Sequence, residues 1–221
     1  MTAALLRGMP VHVLHIRKTG GTALTQAFQA AHGAGLLVFH DHATRLADIP
    51  PGSPVAFVVR DPVARFVSGF NSRLRQGAPR YHFPWNEAEA AAFAHFAGAA
   101  QLAEALASGD ARAREAMQAI RHVNTCLSWW LGGVHQLEQR RADIVFIGRQ
   151  ETLEADARRL ARVVGLGQEP VLPADDVLAH RTPPGMATAL TQGGEAAIRA
   201  HYAADADILR WCDAFRADAE R

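Results

Sequence analysis

Hydrophobic and polar positions follow two rhythms along this chain. Residues 11–16 (V-H-V-L-H-I) form a largely apolar run, and a short polar loop with two glycines follows. Leu24, Ala27, Phe28 and Ala31 then recur at helical spacing, so the pattern predicts strand, loop and helix. Residues 36–40 make a second short apolar run, closed off by the P-P-G-S-P cluster at residues 50–54. Residues 55–59 (V-A-F-V-V) are apolar throughout, as in a parallel strand covered on both faces. Pro62 sits well for a first helical turn, and Val63, Phe66, Val67, Phe70 and Leu74 continue one helical stripe. Two strand-to-helix units with polar residues at the strand ends predict an α/β fold. Its open parallel sheet is P-loop-like in the first unit and flanked by helices, and the ligand crevice lies beyond the strands' C-terminal ends.

The pattern changes at residues 76–133. An aromatic, proline-punctuated loop leads into alanine-rich segments whose Phe93, Phe96, Leu102, Leu106, Met117, Ile120 and Leu127 predict two or three helices. We read this stretch as a helical insertion or cap within one domain spanning residues 1–221. Residues 170–185 form a proline-rich connection, and residues 194–215 predict one closing helix against the sheet.

Composition narrows the classes. A chain with 49% hydrophobic and 20% charged residues can bury a full core, and a formal charge of +1 argues against a dominant nucleic-acid surface. Cys126 and Cys212 form neither a disulfide framework nor a metal-ligand spacing and read as buried thiols, although His122 could share a helix face with Cys126. Nowhere do roughly twenty apolar residues follow one another, as a membrane span requires. Residues 1–10 lack a basic segment followed by an apolar stretch, so no signal peptide is expected and the expected compartment is the cytoplasm.

The first loop carries the strongest chemistry. Residues 17–21 (R-K-T-G-G) precede a predicted helix with Thr22 at its N-cap, which directs backbone N–H groups and the positive end of the helix dipole to one spot. Gly20 and Gly21 permit close approach of an anion, Thr19 and Thr22 add hydroxyls, and Lys18 adds a mobile charge. Of the 23 basic residues only Lys18 is lysine, which suggests a task the planar guanidinium serves poorly. At the end of the 55–59 strand, R-D-P-V-A-R-F-V-S-G-F sets Arg60 and Ser68 to grip a second phosphate. Each of them alone also fits a solvated surface role.

The pair H-I-R-K-T-G-G-T and V-V-R-D-P-V-A-R-F-V-S-G-F resembles the two cofactor motifs of sulfotransferases that use 3'-phosphoadenosine 5'-phosphosulfate (PAPS), particularly the carbohydrate-type families, bacterial members included. The resemblance implies that residues 17–23 (Arg17, Lys18, Thr19, Gly20, Gly21, Thr22 and Ala23) hold the 5'-phosphosulfate and that Arg60 and Ser68 hold the 3'-phosphate. Residues 144–165 look like the family's later strand and helix. Arg17 departs from the proline that many relatives carry before the lysine. A late loop closes over the nucleotide in related enzymes, which makes Arg181 a further candidate for phosphate or acceptor.

Sulfuryl transfer needs a base for the acceptor hydroxyl, and histidine titrates in the right range. His40 and His42, in F-H-D-H after the second apolar run, resemble the His-x-His pair of heparan sulfate 2-O-sulfotransferases. We therefore expect His42 to be the catalytic base, with His40 second and Lys18 stabilising the charge that develops during in-line displacement. Asp41 between them reads as a tuning carboxylate or a turn residue. The scheme needs no metal. The expected partner is a hydroxyl-bearing acceptor, a saccharide or glycolipid, and Arg80, Tyr81, His82 and Trp85 are candidate contacts to it. Trp85, Trp129 and Trp130 also fit a packing role, the reading adopted for the last two.

Two other functions use some of the same residues. A P-loop kinase or NTPase shares the strand, glycine loop, lysine and threonine, but G-x-x-x-x-G-K-[ST] is absent because Lys18 precedes both glycines. An inactive nucleotide-binding protein would bind cofactor without turnover.

Overall fold

The computed structural model describes residues 8–175, 177–178, 182–183 and 185–219; Arg181 lies outside them. In chain order the elements are β1 (Val11–Leu14), α1 (Gly21–Ala27), α2 (Gln29–Gly33), β2 (Leu37–Phe39), β3 (Val55–Val59) and α3 (Pro62–Leu74). They continue with α4 (Glu87–His95), α5 (Ala99–Ala107), α6 (Ala111–Ala119), α7 (Leu127–Leu131) and α8 (Val134–Gln139). The last are β4 (Ile144–Arg149), α9 (Leu153–Val163), α10 (Gln192–His201) and α11 (Ala203–Ala219). Two compact units result: a sheet unit of Met1–Arg60, Cys126–Ala174 and Ala204–Arg221, and a helical unit of Asp61–Thr125 and Asp175–Ala203.

The sheet unit is a four-stranded parallel sheet in the order β2-β1-β3-β4. Alternation divides its side chains between two cores. Val11, Val13, Ala56, Val58 and Phe146 meet Leu24 and Phe28, Ala31 of α2, and Ala157 and Leu160 of α9 on one face. Leu14, Val55, Phe57, Val59 and Ile147 meet Trp130 and Leu131 of α7, Leu137 of α8 and Ile208 of α11 on the other. Burial on both sides is why β3, all five residues of which are buried, reads as an uninterrupted apolar run. Because β1 is flanked by β2 and β3, the connections leave its C-terminal end in opposite directions, and the crevice of this fold class opens there. Cys212 is buried in the second core, and burial pushes its thiol up to about 12, which leaves it inert.

In the helical unit, α3 begins as expected: Asp61 caps it by accepting from the backbone N–H of Val63 and Ala64 at 2.9 and 3.0 Å, with Pro62 in the first turn. Arg73 near its end is 2% exposed and forms a two-pronged ion pair with Glu89, both contacts 2.7 Å. Arg73 also donates to the carbonyls of Phe83 and Pro84, and Glu89 accepts from the backbone N–H of Arg121. One buried pair thereby ties α3, α4 and the loop between them.

The structure departs from the sequence pattern in three places. The helical unit spans 61–125 and takes in 175–203, whereas 126–133 belong to the sheet unit, because Leu127, Trp130 and Leu131 of α7 pack into the sheet core. The single closing helix expected over 194–215 is two. Tyr202 breaks it, its ring lying 5.1 Å beneath the Arg65 guanidinium and its hydroxyl donating to the Val123 carbonyl in the helical unit. Three residues on, buried Asp205 accepts from the Leu127 N–H at 2.8 Å in the sheet unit. Finally, His122 is not helical (φ +69°) and Cys126 is the N-cap of α7, so the two share no helix face. Among the described residues no helix is long and apolar enough to cross a membrane.

Candidate functional site

The loop between β1 and α1 is built by its backbone. Lys18 has φ +66° and Gly20 φ +89°, two left-handed residues that curl the chain back over the end of β1. Only glycine fits at the second: a Cβ on Gly20 would lie 2.6 Å from Leu153 Cδ2. A Cβ on Gly21 would run into the His15 ring. Helix α1 starts at Gly21 with Gly20 as its N-cap. Thr22 is therefore a first-turn residue instead of the expected cap, since the left-handed glycine already reverses the chain.

Thr19 is also corrected as a ligand side chain. It is 1% exposed and its hydroxyl donates inward to the Ile16 carbonyl at 2.9 Å, leaving its backbone to face the loop. Ala23 is buried, whereas Arg17, Lys18, Gly20, Gly21 and Thr22 keep partial exposure. Arg60, at the end of β3, donates from Nη1 to the Lys18 carbonyl at 3.1 Å. The first motif and the arginine of the second are thus joined at the fork between β1 and β3.

Four histidines of β1 and of the segments that follow β1 and β2 form two pairs, one of them at the start of this loop. His42 Nδ1 lies 2.9 Å from the His15 carbonyl oxygen, and the two rings are 4.0 Å apart. His12 Nδ1 lies 2.9 Å from His40 Nε2, with the rings stacked at 5.1 Å. His40 and His42 therefore take separate partners. Asp41, between them, turns the chain: its Oδ1 accepts from Ala43 N, Thr44 N and the Thr44 hydroxyl at 2.8, 3.1 and 3.1 Å.

A carbonyl oxygen can only accept, so His42 carries its proton on Nδ1 and presents Nε2 as a lone pair when neutral. Burial, with Arg17 and Lys18 adding to it, holds His42 below the ordinary histidine range, although the His15 bond and Asp41 oppose this. Burial and the neighbouring His42 pull His15 down to about 3. Burial, then His12, lowers His40. Burial thus favours the neutral form of all four rings, and Asp41 is the nearby carboxylate that opposes this for His15, His40 and His42. Sequence reasoning missed His12 and His15, whose partners lie 28 and 27 residues away; no local spacing signals such pairs.

The remaining predicted residues lie in the helical unit. Ser68 sits on α3 and is half-buried. The Trp85 indole N–H donates to the Arg73 carbonyl at 2.6 Å and its ring stacks on Phe93 at 4.8 Å. Arg80 donates to the Leu178 carbonyl at 2.6 Å, while Tyr81 and His82 are exposed. Among the described residues no group of three or more His, Cys, Asp or Glu side chains is disposed to hold a metal ion.

A parallel sheet whose fork carries a glycine loop, a lysine and a crossing arginine defines an α/β protein with a site suited to phosphate-type anions. The sulfotransferase family model matches residues 9–192, and the chain belongs to that family, whose reaction is sulfuryl transfer. No curated protein and no solved structure matches the chain.

Proposed function

We propose that the protein transfers a sulfuryl group from PAPS to the hydroxyl of a saccharide or glycolipid acceptor, with His42 as the base. The observation that carries this reading is the His42 geometry: a neutral imidazole with its tautomer fixed by the His15 carbonyl, beside the glycine loop of a sulfotransferase-family chain.

The residues present suit the donor. Arg17, Lys18 and Arg60 supply positive charge around the loop, and its left-handed Gly20 lets the chain turn there with Gly20 and Gly21 packed against Leu153 and His15. When bound, PAPS supplies an activated sulfuryl group and a leaving phosphate. Lys18 and the loop N–H groups are then the electrostatic stabilisers of charge on that phosphate and on the transferring group. Arg60 is assigned to the 3'-phosphate, and Ser68 to the same phosphate from the sequence resemblance alone. His42 Nε2 takes the acceptor proton while Nδ1–H stays on the His15 carbonyl, which stabilises the imidazolium as it forms.

The test is to incubate the protein with PAPS and a panel of neutral and anionic saccharides and to measure release of 3'-phosphoadenosine 5'-phosphate (PAP). The expected result is acceptor-dependent release that disappears in His42→Ala. No release with any acceptor, in a protein that still binds PAP, would return the inactive nucleotide-binding reading.

A further inference from the structure

The proposed base is carried by a turn, and a turn alone does not fix the ring it bears. Asp41 shapes this one through Ala43 and Thr44, its own neighbours, so its bonds do not tie His42 to the sheet. Two long-range hydrogen bonds do. The His42 ring meets the His15 carbonyl through Nδ1, and the backbone carbonyl of His42 accepts from the indole N–H of Trp130, on α7, at 3.0 Å. An indole N–H can only donate, so the second bond has one direction. Trp130 is 1% exposed and lies in the core with Leu14, Leu46 and Leu137. Its helix is anchored at its start, where buried Asp205 accepts from the Leu127 N–H. Trp129 meets Trp130 edge-on at 5.2 Å and lies 4.2 Å, ring centroid to guanidinium carbon, from Arg45, so α7 also grips the chain beyond His42.

Filling a core needs no N–H, and a phenylalanine does it without one. A buried tryptophan must find a partner for its N–H, and here that partner is the backbone of the proposed base. Releasing the carbonyl would let the turn pivot, lengthen the bond from Nδ1 to His15 and admit water to the ring. The charged groups that act on the ring are Arg17 and Lys18 of the loop and Asp41 of its own turn, with the His15 ring beside it. Helix α7 (L-S-W-W-L) carries no charge, so whatever Trp130 does to His42 it does by placement.

We infer that Trp130 is a positioning residue for the base: its N–H holds the His42 carbonyl, which sets the backbone from which the ring reaches His15 and so keeps the proton on Nδ1 and the lone pair on Nε2. The inference rests on the reading of His42 as the base. It gives the buried indole a task in the chemistry beyond the packing of its ring.

The experiment compares wild type, Trp130→Phe, which keeps an aromatic ring and deletes the N–H, and Leu137→Ala, which removes packing from the same core. Heteronuclear NMR of the histidine rings reads tautomer and titration midpoint. Calorimetry with PAP and PAP release from PAPS, with the panel saccharide turned over fastest, read binding and turnover. In wild type His42 should carry its proton on Nδ1, and the Trp130 indole N–H resonance should shift with pH at the His42 midpoint. In Trp130→Phe the Nε2–H form should appear and the midpoint should move up toward the ordinary histidine value. Turnover should fall about tenfold or more, with KM and PAP affinity within about twofold of wild type. Leu137→Ala should melt earlier and leave the His42 tautomer and midpoint unchanged. A Trp130→Phe protein that only melts earlier, with His42 or turnover as in wild type, overturns the inference. So does a Leu137→Ala protein whose His42 changes equally, because any loosening of the core would then suffice. An indole resonance indifferent to His42 also overturns it, and that result needs wild type alone, so it decides even where Trp130→Phe does not fold. Full PAP release in His42→Ala is a different result: it removes the base, and with it the reading on which the inference rests.

Discussion

The Nδ1 of His42 lies 2.9 Å from the carbonyl oxygen of His15, the residue that opens the anion loop. That contact links the orientation of the proposed base to the loop that would hold the sulfuryl group. It also dictates which ring nitrogen is free. His42→Ala should lower turnover by about 10²–10⁴-fold and leave PAP affinity unchanged. His40, paired instead with His12, should give a smaller loss on the same substitution. Steady-state kinetics with calorimetry on both variants checks this, and a full loss in His40→Ala with normal His42→Ala would reverse the assignment.

The acid limb of activity should fall below the ordinary histidine range. His42 must be neutral to accept a proton, and burial lowers its pKa, so turnover is flat from about pH 7 to 8 and falls as pH drops through the lowered value. Asp41 opposes this lowering, and Asp41→Asn should move the limb further down. A wild-type limb centred at or above pH 7 would contradict the assignment.

Folding stability should follow the same histidines. His15 binds its proton near pH 6.5 in the unfolded chain and only at about 3 in the folded one. Between those values the unfolded state holds more protons, so stability is full above 6.5 and declines as pH falls toward 3. His12, His40 and His42, also lowered, act in the same direction. Thermal unfolding should show a lower midpoint at pH 5 than at pH 7; an unchanged or higher midpoint would mean that these rings are not buried neutral.

Much of this arrangement was legible in the chain because it is local. The V-A-F-V-V strand, Pro62 at the start of α3 and the glycine loop announce themselves through periodicity and turn chemistry. Thr19 misled because threonine suits both a loop ligand and an internal hydroxyl bond, and Thr22 because the left-handed Gly20 takes the cap position its residue type suits. The His15–His42 and His12–His40 pairs, the Arg45–Trp129 stack and the break at Tyr202 were not legible. Each depends on a partner far along the sequence.

Gly21 at the start of α1 and Gly33 at the end of α2 should respond differently to alanine. In Gly21→Ala the new methyl meets the His15 ring, so PAP binding and turnover should both fall. Gly33, at the end of α2, faces open space, and Gly33→Ala should raise stability by about 0.5–1 kcal/mol without touching activity. Thermal melts and the PAP-release assay on both variants check the pair.

The buried ion pair of the helical unit makes a stability prediction separate from the chemistry. Glu89→Ala strands Arg73 with its charge buried and should cost about 3–5 kcal/mol in urea unfolding at 25 °C. A loss under about 1 kcal/mol would mean that Arg73 finds water or another partner.

The central claim is that the fork between β1 and β3 holds a 3'-phosphorylated adenosine nucleotide. Calorimetric titration of PAP beside AMP and ATP, on wild type and Arg60→Ala, tests it most directly. The account predicts micromolar or tighter binding that requires the 3'-phosphate and is lost or strongly weakened in Arg60→Ala. Preference for ATP, or equal affinity for PAP and AMP, would contradict it.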